Sequence, residues 1–79
     1  MKEKLKNFIF SEIVYLDNPD AFTDDDDLLA AGLDSMGLMR LIMFAEKNFA
    51  VILPDTEIEP DNVRTLNALE QWITKALNG

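Results

Sequence analysis

Leu28-Leu29-Ala30-Ala31-Gly32-Leu33-Asp34-Ser35-Met36 is the stretch from which the rest of the chain is read. An apolar run ends at a glycine, an Asp-Ser pair follows, and a helical pattern then continues to about Phe49. Leu38, Leu41, Ile42, Ala45 and Phe49 recur at the spacing of one helix face, which predicts a helix over Ser35–Asn48 with that face in the core. Met36, Met39 and Met43 recur on a second stripe. A helix with two apolar faces is either buried all round or keeps one face for a partner, and methionine suits surfaces that accept varied partners. Ser35 stands where a short loop becomes this helix, and that position favours the partner surface.

On the N-terminal side, Leu5, Phe8, Ile9 and Ile13 follow helical spacing and predict a first helix over roughly 2–16, with Leu16 extending its stripe. Asp17-Asn18-Pro19-Asp20 stops it. The connection from Ala21 to Asp34 is long for so small a protein, so it should be pinned or functional, with Phe22, Leu28, Leu29 and Leu33 as the pins. Asp24-Asp25-Asp26-Asp27 lacks the alternation, the glycine and the closing glutamate of a calcium loop. It reads as a solvated acidic loop, with weak, non-structural divalent binding as the alternative.

On the C-terminal side, Ala50 to Ile58 reads as irregular, with Val51 and Leu53 briefly extended. Pro60 at a first helical position predicts one short turn over 59–63, anchored by Ile58 and Val63. The last helix is expected over 66–77, opened by Thr65 as N-cap or by Asn67 with Glu70. Leu66, Leu69, Ile73 and Leu77 form its buried stripe, with Trp72 and Ala76 at the edge. The expected fold class is all-α: a small bundle of three longer helices plus one short one, with a long loop between the first and second. All 79 residues are expected to form one domain.

Composition narrows the chemistry. The chain has no cysteine and no histidine, which excludes disulfides, the usual zinc and haem sites, a thiol nucleophile and an internal Ser-His-Asp triad. A net charge of −8 repels phosphate backbones and anionic lipid. It favours partners with basic patches. A hydrophobic content of 48% is too high for a disordered acidic tail. The N-terminal lysines before Phe8-Ile9-Phe10 faintly imitate a signal peptide, but Ser11 and Glu12 break the run and no small-residue cleavage site follows. No stretch approaches the roughly 20 apolar residues of a membrane span. A cytoplasmic monomer with no nucleic-acid partner and no membrane insertion is expected.

Leu28 to Met36, with Leu41-Ile42 and Phe49 after it, resembles the phosphopantetheine attachment motif of acyl and peptidyl carrier proteins. The first helix, the acidic loop, the Asp-Ser at a helix start and the Thr65-Leu66 opening of the last helix fall in that family's order, so the resemblance covers nearly the whole chain. It implies an acyl-carrier-like bundle in which Ser35 carries 4′-phosphopantetheine through a phosphodiester. A phosphopantetheinyl transferase would install the group from coenzyme A with magnesium. The terminal thiol would hold an acyl or aminoacyl cargo as a thioester for loading and processing enzymes, and the carrier would catalyse nothing itself. The second helix departs from the acid-rich pattern of fatty-acid carriers. It has Glu46 but also Arg40 and Lys47, with Gly37 at an early position read as exposed. Docking is therefore expected on Asp34, Met36, Met39, Arg40, Met43 and Glu46, with Arg40 seeking an acid on the partner. That favours a specialised stand-alone carrier in a fatty-acid-like, polyketide or lipid pathway, or an aminoacyl or peptidyl carrier.

Elementary chemistry agrees with the resemblance. A phosphate at a helix start meets unpaired N–H groups and the positive end of the helix dipole. Gly32 allows a tight turn into the helix, and Leu33 can anchor the loop so that Ser35 stays exposed. Asp34 has no histidine to work with, so contact with the transferase near its magnesium suits it better than activation of Ser35. The plainer readings are that Ser35 is only an N-cap, Asp34 only a favourable charge and Gly32 only a turn residue. They lead to an unmodified helical adaptor that binds partners through the methionine stripe. A hydrolase built on Ser35 lacks both a base and an oxyanion site.

Overall fold

The structure is a computed structural model that describes residues 1–79. Five helices follow in order: α1 Lys2–Glu12, α2 Leu28–Ala31, α3 Ser35–Phe49, α4 Pro60–Val63 and α5 Leu66–Asn78. Single tight turns occupy Pro19–Ala21 and Asp55–Glu57. The long helices α1, α3 and α5 form the bundle, with α1 packed against both others and α4 packed against α5. The expected all-α architecture is therefore found.

The core is built from the predicted stripes. Leu5 and Ile9 of α1, Leu41, Ile42 and Ala45 of α3, and Leu66, Leu69 and Ile73 of α5 are all buried, as are Leu28, Leu33, Val51, Leu53 and Val63 between them. Each fully buried large aliphatic side chain contributes about 1.5–3 kcal/mol by leaving water. Phe8 stacks on Phe44 with ring centroids 4.1 Å apart, and Phe10 meets Phe22 edge-on at 4.9 Å. The second contact, with a hydrogen bond from Lys6 Nζ to the Phe22 carbonyl (2.7 Å), fastens the long connection to α1. Leu28 and Leu33 pin that connection in the core, while Phe22 and Leu29 are half-buried.

Four expectations change. First, α1 ends at Glu12 rather than near residue 16, because Ile13 leaves helical geometry (φ −122°) and the Val14 N–H returns to the Ile9 carbonyl at 2.8 Å. This turns the β-branched Val14 into the core, and Leu16 packs half-buried beside it instead of extending the stripe. Second, the connection contains α2. Asp27 Oδ1 accepts from the N–H groups of Leu29 (2.8 Å) and Ala30 (3.1 Å), and Gly32 ends the helix at φ 122°, a backbone state that a Cβ would strain.

Third, the aspartate run is more than a solvated loop. Asp24 pairs with Lys2 at 3.2 Å, Asp25 accepts from Asn67 Nδ2, Asp26 accepts from the Thr23 N–H at 2.8 Å, and Asp27 caps α2. Asn67 thus ties loop to helix, and Thr65 alone caps α5, accepting from the Ala68 N–H at 3.0 Å. Fourth, Trp72 lies in the core at 5% exposure, whereas Leu77 is 46% exposed, so the buried stripe of α5 stops before its last turn.

Candidate functional site

Ser35 is the first residue of α3 and is exposed. The residue before it does the capping: Asp34 Oδ1 accepts the Gly37 N–H at 2.8 Å, and the Asp34 carbonyl accepts the Leu38 N–H at 2.8 Å. The reading of Ser35 as an N-cap is therefore corrected, and its hydroxyl has no capping duty. The N–H groups of Ser35 and Met36 belong to the first turn, where no preceding helical carbonyl can reach them. An exposed hydroxyl beside two such donors, at the positive end of a 15-residue helix, suits a phosphate ester on Ser35 Oγ.

The approach to Ser35 is fixed from below. Leu33 is 4% exposed and Leu28 fully buried, so α2 and the Gly32 turn hold the loop against the core. Gly37, expected to be exposed, is buried instead. A Cβ there would collide with Ile13 Cγ2 and crowd Asp34 Oδ1 at 3.3 Å. Glycine at this position permits the end of α1 to lie directly against the start of α3. Nothing in the local sequence pattern signals this contact, because Ile13 lies 24 positions from Gly37.

The three methionines separate cleanly from the core. Met36 is 80% exposed, Met39 48% and Met43 67%, on the same helix whose other face holds Leu41, Ile42 and Ala45 in the interior. Arg40 and Glu46 have tasks inside the fold. The Arg40 guanidinium donates to the Glu12 carbonyl at 2.9 Å, closing the C-terminal end of α1. The Glu46 carboxylate accepts the Leu53 N–H at 2.9 Å and holds the segment after α3.

A groove of about 310 Å³ opens beside Ser35. Leu33 and Leu38 line one side, and Ile58, Glu59, Pro60 and Val63 line the other. The sequence placed Ile58 and Val63 as anchors but gave no sign that their segment faces Ser35.

The phosphopantetheine attachment site family matches residues 8–73. Aminoacyl carrier protein 2 of Bradyrhizobium diazoefficiens is 42% identical over 50 residues, which span 63% of this chain and 56% of that protein. The D-alanyl carrier protein of Streptococcus mutans is 40% identical over 55 residues, 68% of this chain and 70% of that protein. Among solved structures, the crystal structure of Bradyrhizobium japonicum glycine:carrier protein ligase complexed with glycylated carrier protein contains a chain that superposes with a TM-score of 0.70 at 25% identity, over 91% of this chain and 92% of that one.

Proposed function

Since the chain belongs to the phosphopantetheine attachment site family, whose covalent cofactor is 4′-phosphopantetheine, we propose that Ser35 is the attachment residue and that the 79 residues act as one carrier domain. When bound, the group supplies a terminal thiol that holds an acyl or aminoacyl cargo as a thioester. Among the residues of this chain, Ser35 Oγ provides the ester oxygen. The Ser35 and Met36 N–H groups would hold the phosphate, and Asp34 keeps the first turn formed while the hydroxyl stays available. The observation that carries this reading is that Asp34 holds the cap, which leaves Ser35 exposed and unengaged at the start of α3.

The cargo favoured is aminoacyl, because the relatives above are named for aminoacyl and D-alanyl cargo. A more general acyl carrier of a fatty-acid-like, polyketide or lipid pathway is the second reading, supported by the apolar groove beside Ser35. The partners are a phosphopantetheinyl transferase, a loading ligase and cargo-processing enzymes. They would dock on Met36, Met39 and Met43, where three large apolar side chains stand exposed around the first turns of α3. Asp34 would contribute at the edge of that surface. Arg40 and Glu46, engaged within the fold, are secondary there. The domain works as a cytoplasmic monomer and catalyses no reaction of its own. No helix is long and apolar enough to cross a membrane.

The test is intact mass after incubation with coenzyme A, magnesium and a broad-specificity phosphopantetheinyl transferase. A gain of one phosphopantetheine, absent in Ser35→Ala, is expected. No gain with an active transferase, and none on protein taken from its native cell, would return the chain to the adaptor reading.

A further inference from the structure

The two sides of the Ser35 groove are held differently. Leu33 and Leu38 belong to the rigid junction of α2 and α3. The opposite side is a chain segment in which Ile58 is half-buried and Glu59 and Pro60 are exposed. A second cavity, of about 690 Å³, lies on the other side of this segment, against α5, and Glu59 borders both spaces. The gap leaves the segment thinly packed against α5, and the groove leaves it room to shift off α5, toward Ser35.

A polar contact opposes that shift. Trp72 Nε1 donates to Glu57 Oε1 at 2.8 Å. Trp72 is 5% exposed and fixed in the core, so it is a rigid post, whereas Glu57 is exposed and immediately precedes Ile58. Asn62 Nδ2 donates to the Glu57 carbonyl at 2.7 Å, which ties the Glu57 backbone to α4 but makes no direct bond to α5. Val63, on the same wall, is held by its own burial; the Glu57 carboxylate adds a polar side-chain tie between the Asp55–Glu59 stretch and α5.

We propose that Glu57 is a positioning residue: its hydrogen bond to Trp72 latches the Asp55–Glu59 stretch onto α5, holds Ile58 as the wall of the groove beside Ser35, and so sets the size of cargo that the groove shelters. The proposal rests on the reading of Ser35 as the attachment residue. A latch of one ordinary hydrogen bond shifts the ratio of latched to released segment by about tenfold.

Three variants test it. Glu57→Gln keeps an acceptor, Glu57→Ala removes it, and Trp72→Phe keeps a ring but removes the donor. In the unmodified protein, Glu57→Ala and Trp72→Phe are expected to speed amide exchange at Ile58 by about tenfold while the central amides of α5 stay unchanged, with Glu57→Gln close to wild type. Each protein is then loaded with acetyl- or octanoyl-phosphopantetheine and exposed to hydroxylamine. In the wild type the octanoyl thioester is expected to be cleaved several-fold more slowly than the acetyl one, and that protection is expected to fall in Glu57→Ala and Trp72→Phe. Unchanged exchange at Ile58 overturns the latch. Faster exchange with an unchanged ratio of octanoyl to acetyl cleavage overturns its role in cargo size. If Ser35 of the wild type takes up no group, the attachment reading and the cargo half of this proposal fail together, and the exchange arm still reads the latch by itself.

Discussion

Asp34 and Gly37 form one device: the carboxylate of the first caps the N–H of the second at 2.8 Å, and the missing side chain of the second lets Ile13 close in against it. The start of α3 is thereby fixed by its neighbours, and Ser35, between them in sequence, carries none of that structural duty.

Separating the two roles of Asp34 is straightforward, because asparagine caps as well as aspartate. Asp34→Ala should cost about 1 kcal/mol of stability, whereas Asp34→Asn should leave the melting temperature nearly unchanged. If the transferase or its magnesium reads the carboxylate, Asp34→Asn will still slow modification of Ser35. Denaturant unfolding beside the rate of mass gain distinguishes the two effects.

Gly37→Ala would improve helix propensity at a solvent-facing site. Here it should destabilise by about 1–3 kcal/mol, the usual cost of overpacking. Truncating the opposing side chain, Ile13→Ala, should make the two changes less than additive, since the collision is then relieved. Additive effects in a double-mutant cycle would deny the contact.

The methionine stripe makes a contrasting prediction. Met36, Met39 and Met43 are exposed, so changing Met39 or Met43 to Glu should shift stability by no more than about 0.5 kcal/mol. Turnover by loading and processing enzymes should fall much further. Equal losses in folding and turnover would place the stripe in the core.

Lys2 should give the protein an alkaline limb of stability. Its pKa is raised above the ordinary lysine value, first by the hydrogen bond to Asp24 and then by the charges of Asp24, Glu70 and Asp25, against a partial loss of hydration. The folded value lies above the unfolded one. The contribution is therefore whole at pH below the unfolded value and lost as pH rises through the folded one. The side chain is about one-third exposed, so the effect is small. Thermal melts from neutral to strongly alkaline pH should show this limb in the wild type and lose it in Lys2→Met.

What the sequence made legible follows from what periodicity encodes. The stripe Leu38, Leu41, Ile42, Ala45 and Phe49 and the pins Leu28 and Leu33 were readable because apolar spacing reports which face turns inward. The Thr65 cap was readable because capping is local. The early end of α1 was not, because Ile13 and Val14 continue an acceptable helical pattern and only the pull of Val14 into the core breaks it. The burial of Gly37 and the Glu57–Trp72 bond depend on residues 24 and 15 positions apart. No local pattern carries such pairings. Arg40 and Glu46 looked like free surface charges for the same reason: their partners are backbone groups elsewhere in the fold, which a sequence does not display.

The meeting of Ile13 with Gly37, and of Val14 with Gly32 at 3.7 Å from where a Cβ would stand, brings both ends of the long connection to one place. Between Val14 and Asn18 the backbone forms no hydrogen bond to the rest of the molecule. Lengthening a loop whose ends are already joined costs little chain entropy, about 0.6 kcal/mol for each doubling. The exposed positions Tyr15 and Asp17, on either side of the half-buried Leu16, are therefore where this fold can gain length over evolutionary time, or accept an engineered insertion, without moving Ser35.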